Sequence, residues 1–202
     1  MATRTIRDIA RELKHAFYKK GENIKSLNWN SYSSAVVRYK QFIDGNINYN
    51  GKNILDVGCG FGNIIPYLSS RAENFSYTGV DVVPEFVKLA QKRYPDFQFK
   101  VLDYFSKPLR KKFDIIISCG TLNYKMPNLI NYRKKAIKTM FTSCKEVLVF
   151  NMAGGSSPKN KKRSKIAYAN SGEILKFCLS LTEKVIFKQH YHHRDFTIFM
   201  FQ

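Results

Sequence analysis

The stretch Asn53-Ile54-Leu55-Asp56-Val57-Gly58-Cys59-Gly60-Phe61-Gly62-Asn63 decides the fold. An apolar run ends in a carboxylate and then in a glycine-rich turn, the pattern of a buried strand handing over to a helix. Glycines there let the backbone pass close to a bound ligand, where a β-carbon would collide. A dinucleotide fingerprint starting at Gly58 would need a glycine at position 63, where Asn63 stands. Asp56, just before the turn, also fits poorly beside a pyrophosphate.

Outward from this turn, strands and helices alternate. The runs Asn53–Val57, Tyr77–Val80, Phe97–Val101, Phe113–Ser118 and Val147–Asn151 read as strands, with helices expected near Asn63–Ser70, Pro84–Tyr94 and Leu129–Thr142. Such alternation implies a parallel sheet with helices on both faces. Towards the N-terminus, Ile6, Ile9, Ala10, Leu13 and Phe17 recur at helical spacing over Thr5–Lys20, and Gly21 and Asn23 break that helix. A second helix is expected over Ser33–Ile43, ending at Asp44-Gly45. Towards the C-terminus, Gly154–Pro158 opens a loop that leads into the basic run Lys159–Lys165. A helix over Ser171–Leu181 follows, and Lys184–His190 and Phe196–Phe201 read as an antiparallel hairpin at the sheet edge.

Carboxylates recur at matching stations. The second strand ends at Asp81, where an acid accepts both hydroxyls of a ribose, and Asp103 follows the third strand, where an acid accepts the exocyclic amine of adenine. With Asp56, three acids stand at the carboxyl ends of successive strands, the place where open α/β sheets bind ligands.

With these residues the sequence resembles the class I S-adenosylmethionine (SAM) dependent methyltransferases over residues 53–151, through the segments LDVGCGFG, GVDVVPEFV, FKVLDYF and FDIIISCGTLNY. It also resembles small bacterial methyltransferases of unassigned acceptor, through AVVRYKQF, VLVFNM and HYHHRDFTIFMF. The resemblance implies a Rossmann-like α/β fold with a seven-stranded mixed sheet in the order 3-2-1-4-5-7-6, the last strand antiparallel. It implies a division into an N-terminal helical extension, 1–45, packed over the cofactor site, and a methyltransferase domain, 46–202. Of the cofactor-binding residues it implies, Gly58, Gly60 and Gly62 lie along the methionine part of SAM, Asp81 holds the ribose and Asp103 the adenine, with Asp56 also among them. Ser118, Cys119 and Gly120 sit beside the sulfonium, and Arg38 reaches the SAM carboxylate or is a solvated helix charge. The Asp-Pro-Pro-Tyr and Asn-Pro-Pro-Tyr motifs of nucleic-acid amino methyltransferases are absent from the station at Ser118-Cys119-Gly120-Thr121.

Methyl transfer from a sulfonium is an in-line displacement, so the protein mainly positions the acceptor, and a base is needed only when the nucleophile must lose a proton. Tyr124 and Asn123, after the fourth strand, are candidate acceptor contacts. His190, His192 and His193 cluster before the last strand; they are candidate bases or a polar edge turn. Trp29 and Tyr32 are a candidate aromatic lid or a staple. The run Lys159–Lys165 either grips phosphate or forms a solvated loop.

The four cysteines, Cys59, Cys119, Cys144 and Cys178, are scattered without metal-ligand spacing, so no metal site is expected and reduced buried thiols are. No apolar run reaches the roughly 18 residues that span a bilayer. The N-terminus lacks the apolar core of a secretory signal, so a cytoplasmic protein without membrane partners is expected. The charge is unusual: 34 Lys and Arg against 15 Asp and Glu give +19. Such a field concentrates anionic ligands, unless the excess is compositional bias of the source. The leading reading is a SAM-dependent methyltransferase with a small anionic acceptor. RNA or a nucleic-acid-associated protein is the alternative acceptor, and a SAM-binding module without turnover is the alternative from another class. The sequence leaves the oligomeric state open.

Overall fold

A computed structural model of the chain describes residues 4–43, 47–159 and 164–202. The decisive stretch forms β1 (Lys52–Val57), which lies between β2 (Phe75–Asp81) and β4 (Phe113–Cys119) and is parallel to both. β3 (Gln98–Val101) extends the sheet beyond β2, and β5 (Cys144–Gly155) extends it beyond β4. The hairpin of β7 (Val185–Gln189) and β8 (Asp195–Phe201) closes the other edge, with β8 antiparallel to β5. The order is 3-2-1-4-5-8-7. It becomes the expected seven-stranded order once the two-residue β6 (Ala169–Asn170), which adds to the end of β5, is left out.

That eighth strand was not expected, because two residues carry no period. It depends on Gly154, where a β-carbon would come within 2.2 Å of the Ala169 carbonyl oxygen. β5 is also longer than its expected span of Val147–Asn151, because β4, β8 and β6 all supply it with backbone partners.

Strands buried on both faces divide their residues between two layers. Leu55, Val57, Ile116, Leu148, Phe150 and Ile198 face α5 (Leu129–Ser143) and α6 (Ser171–Leu179). Ile54, Ile115, Ile117, Val147, Val149 and Phe199 face α2 (Tyr32–Ile43) and the short α3 (Ile65–Ser69). α4 (Pro84–Arg93), with proline in its first turn, follows β2. α1 (Ile6–Lys20) is started by a reciprocal capping box between Thr5 and Asp8 and stopped at Gly21. Its Ile9 and Leu13 pack with Phe61, Val83, Phe86 and Leu89.

The expected helix end at Asp44-Gly45, and with it the division after residue 45, falls outside the described residues. Packing does not follow that division. Ala35, Tyr39 and Phe42 of α2 share one core with Ile54 and Leu68, so α2 is a layer of the sheet, while Ile9 and Leu13 of α1 belong to a separate apolar cluster. The 3-10 turn Ile24–Leu27 bridges the two, Ile24 packing on the first and Leu27 on the second. Among the described residues, no helix is long and apolar enough to cross a membrane.

Candidate functional site

A pocket opens at the carboxyl ends of β1, β2 and β4 and is roofed by α1 and the turn after it. Asp56, Gly58, Cys59 and Gly60 line it from the first turn, Asp81 from the end of β2, and Asp103 from the segment after β3. Cys119, Gly120, Asn123 and Tyr124 line it from the end of β4. The roof is Ile6, Ile9 and Leu13 of α1 with Leu27, Asn28 and Trp29.

The turn is built by left-handed backbone at Gly58, Gly60 and Gly62. At Gly58 a β-carbon would lie 2.0 Å from Thr121 Oγ1, whose hydroxyl donates to the Val57 carbonyl at 2.9 Å. Ser118 donates to the same carbonyl at 3.0 Å. Two hydroxyls from the β4 end thus tie the last residue of β1 in place.

The acids differ in their surroundings. Asp81 accepts the Gly60 N–H on one oxygen and the Val83 N–H on the other, both at 3.0 Å. Each oxygen keeps a lone pair for a ligand hydroxyl. Burial pushes its carboxyl up to about 6, against those two backbone bonds. Asp56 accepts the Tyr77 hydroxyl at 2.7 Å, and burial, with the nearby Asp81, pushes it up to about 7. Asp103 is half-buried and accepts the Ser106 N–H weakly at 3.4 Å. Two buried carboxyls raised in this way are short of donors, which a ligand rich in hydroxyl and amine donors supplies.

Several expected site residues lie elsewhere. Arg38 is not on the pocket wall: its guanidinium is taken up by Asp195 and by the backbone of Ser34, and it stacks at 4.8 Å over the Trp29 ring. Ser118 and Gly62 stand behind the wall, as a strand tie and a turn. His190 and His193 are exposed in the hairpin loop, and His192 binds Asp195 at 2.7 Å; none of the three lines the pocket. Tyr32 also lies off the wall. Tyr124 is on it, and accepts a hydrogen bond from Asn28 at 3.3 Å; burial pushes its phenol up to about 12, so it remains a neutral donor at physiological pH. Lys161, Lys162 and Arg163 of the basic run lie outside the described residues. The end of that run, Lys165, pairs with Glu12 of α1 at 2.8 Å.

Residue-level reading missed Tyr39, Phe86, Tyr132 and the α1 face as wall. The amphipathic period of α1 was visible, but what it covers depends on long-range packing.

A parallel sheet with this reversal at β8, and a pocket with acids at the ends of β1 and β2, defines the class I methyltransferase fold. Solved structures of similar fold agree. Magnesium protoporphyrin IX methyltransferase from Synechocystis PCC 6803, solved with bound SAH, superposes with a TM-score of 0.73 at 14% identity, over 98% of this chain and 100% of that one. Residues 54–148 match the family described as methyltransferase domain. Phthiotriol/phenolphthiotriol dimycocerosates methyltransferase of Mycobacterium leprae is 39% identical over 75 residues, 36% of this chain and 28% of that protein. Malonyl-[acyl-carrier protein] O-methyltransferase of Acetivibrio thermocellus is 26% identical over 146 residues, 65% of this chain and 52% of that protein. The chain thus spans less than two thirds of the length of these two relatives. These likenesses support a class I SAM-dependent methyltransferase, and they indicate SAM as the methyl donor.

Proposed function

We propose that the chain transfers the methyl group of SAM to a small anionic acceptor. The observation behind the small size is the roof: Ile6, Ile9, Leu13, Leu27 and Trp29 cover one side of the pocket. The anionic character rests on the formal charge of +19, which raises the local concentration of negative ligands. When bound, SAM supplies a methyl group on a sulfonium that is already a good leaving group. Asp81 accepts the ribose hydroxyls through its free lone pairs, Asp103 the adenine amine, and Asp56 the methionine amine. Gly58 and Gly60 give the methionine part its close approach, and α1 acts as an extension over the cofactor. Cys119 and Gly120 stand at the sulfonium end, with Asn123 and Tyr124 beside them as donors to the acceptor. His190 and His193 do not line the pocket, so the reaction relies on positioning.

The test is incubation with methyl-labelled SAM and separated extracts of small metabolites and RNA. Label in an anionic small-molecule fraction is expected. Label in RNA would favour the second reading, a polynucleotide acceptor, which the same charge supports. Binding of SAM with label in no fraction would leave a binding module.

A further inference from the structure

Behind the pocket wall lies a polar cluster that the cofactor reading leaves unused. Asp195, 2% exposed at the start of β8, sits among apolar neighbours where a lone carboxylate is costly. Its Oδ2 accepts from Arg38 of α2 and from His192 Nδ1, and its Oδ1 from Asn151 Nδ2 at 3.4 Å. Arg38 and Asp195 are 157 residues apart in the chain, so this ion pair joins the N-terminal helix layer to the far sheet edge.

Arg38 has a second contact. Its guanidinium carbon lies 4.8 Å from the centroid of the Trp29 ring, within the range in which a cation holds an indole face. The other side of the wall is equally close: a β-carbon at Gly120 would lie 3.1 Å from Trp29 Cζ2. Trp29 is therefore held between Arg38 and the residue that follows β4, and it lines the pocket at that end. A flat guanidinium presents one orientation only when both its edges are engaged, and Ser34 and Asp195 engage them.

We propose that Asp195 is a positioning residue for the reaction: through Arg38 it fixes Trp29 as the wall of the pocket beside Gly120, and so sets the size of acceptor admitted there. The inference rests on the reading of this pocket as the SAM site. Asp195 touches no reacting atom in this arrangement; its effect passes through the guanidinium to the indole.

Trp29 is the single tryptophan of the chain, so its emission reports this wall alone. The variants are the double substitution Arg38→Leu with Asp195→Leu, which leaves no buried charge unpaired, and Arg38→Lys, which keeps the charge but loses the flat face. On folded protein with the parent's circular dichroism, both are expected to shift Trp29 emission to longer wavelength and to raise its quenching by acrylamide. Both are also expected to lose the emission change that SAH causes in the parent. A folded variant with parent emission, quenching and SAH response would overturn the proposal, and a purely structural ion pair would give that result. A parent chain that binds no SAH would instead sink the cofactor reading, and with it the role at the acceptor. Emission of the ligand-free variants still measures the link from Asp195 to Trp29 in that case.

Discussion

Asp81 carries two duties on one carboxylate: it holds the Gly60 and Val83 amides and faces the pocket. Charge-assisted hydrogen bonds to ligand hydroxyls are worth roughly 1.5–3 kcal/mol each. Asp81→Ala is therefore expected to weaken SAM binding by about that amount in calorimetry, with the fold retained. The pH sign follows from burial. The folded pKa values of Asp56 and Asp81 are raised from 3.8 to about 7 and about 6, so their contribution to the stability of the ligand-free chain is fully present below 3.8 and is lost as pH rises through those values. His192, lowered from its ordinary 6.5 chiefly by burial, acts in the opposite sense. Asp81→Asn isolates the acid: thermal unfolding should depend less on pH between about pH 4 and pH 7 than in the parent. SAM affinity should rise over the same window as the carboxylate ionises. An affinity that fell with rising pH would mean that Asp81 acts as a proton donor to the ligand. Gly58→Ala combines a left-handed backbone with a 2.0 Å approach to Thr121. The backbone penalty alone is roughly 1–2 kcal/mol, and denaturant unfolding should show at least that loss.

At the scale of elements, α1 is the part whose fastening differs from the rest. The sheet strands are held by ladders and two apolar layers, whereas α1 is held by one apolar stripe and a rim of polar contacts. That rim includes Lys14 with Glu85 at 2.6 Å, Tyr18 donating to Glu85 at 3.0 Å and Lys165 with Glu12 at 2.8 Å. Exposed ion pairs of this kind contribute little and are weakened by salt. Amides of α1 are therefore expected to exchange with solvent faster than those of β1, β4 and β5, and to slow when SAH is bound, because the ligand fills the space under Ile9 and Leu13. Hydrogen exchange with and without SAH measures both. Thr5→Ala removes one half of the capping box, worth about 1 kcal/mol. It should speed exchange in α1 without a matching loss in the sheet. Equal acceleration everywhere would mean that α1 opens only with global unfolding.

For the whole molecule, the charge of +19 favours anionic partners. A small acceptor with one or two negative groups is expected to show a KM that rises modestly with salt, with SAM affinity nearly unchanged. A polynucleotide would release a counterion for each neutralised phosphate, giving a log–log slope of several units. Replacing Lys161, Lys162 and Arg163 together would flatten that slope. Titrations of SAM and of an RNA extract over a salt series separate the two cases. The basic run from Lys159 to Lys165 contains no aromatic side chain, so it lacks the stacking surface that single-stranded binders use.

The sequence by itself determined the core strands and the acids of the pocket floor, because both rest on local signals, whereas the strand order came only with the resemblance to the methyltransferases. Continuous apolar runs make strands buried on both faces, glycines mark the turn after β1, and the acids Asp56, Asp81 and Asp103 fall at strand ends by counting alone. Histidine clustering, in contrast, left a base and a polar edge turn both open, and Arg38 read equally as a ligand contact and as a solvated helix charge; none of these side chains lines the pocket. Which partner a guanidinium takes is decided by what the fold brings to it. Asp195 lies 157 residues away, and no periodicity joins the two. The roof of α1, the wall at Trp29 and the two-residue β6 are decisions of the same kind. Each depends on a contact between segments remote in the chain, where burial and steric fit select the partner; only the tertiary structure holds that information.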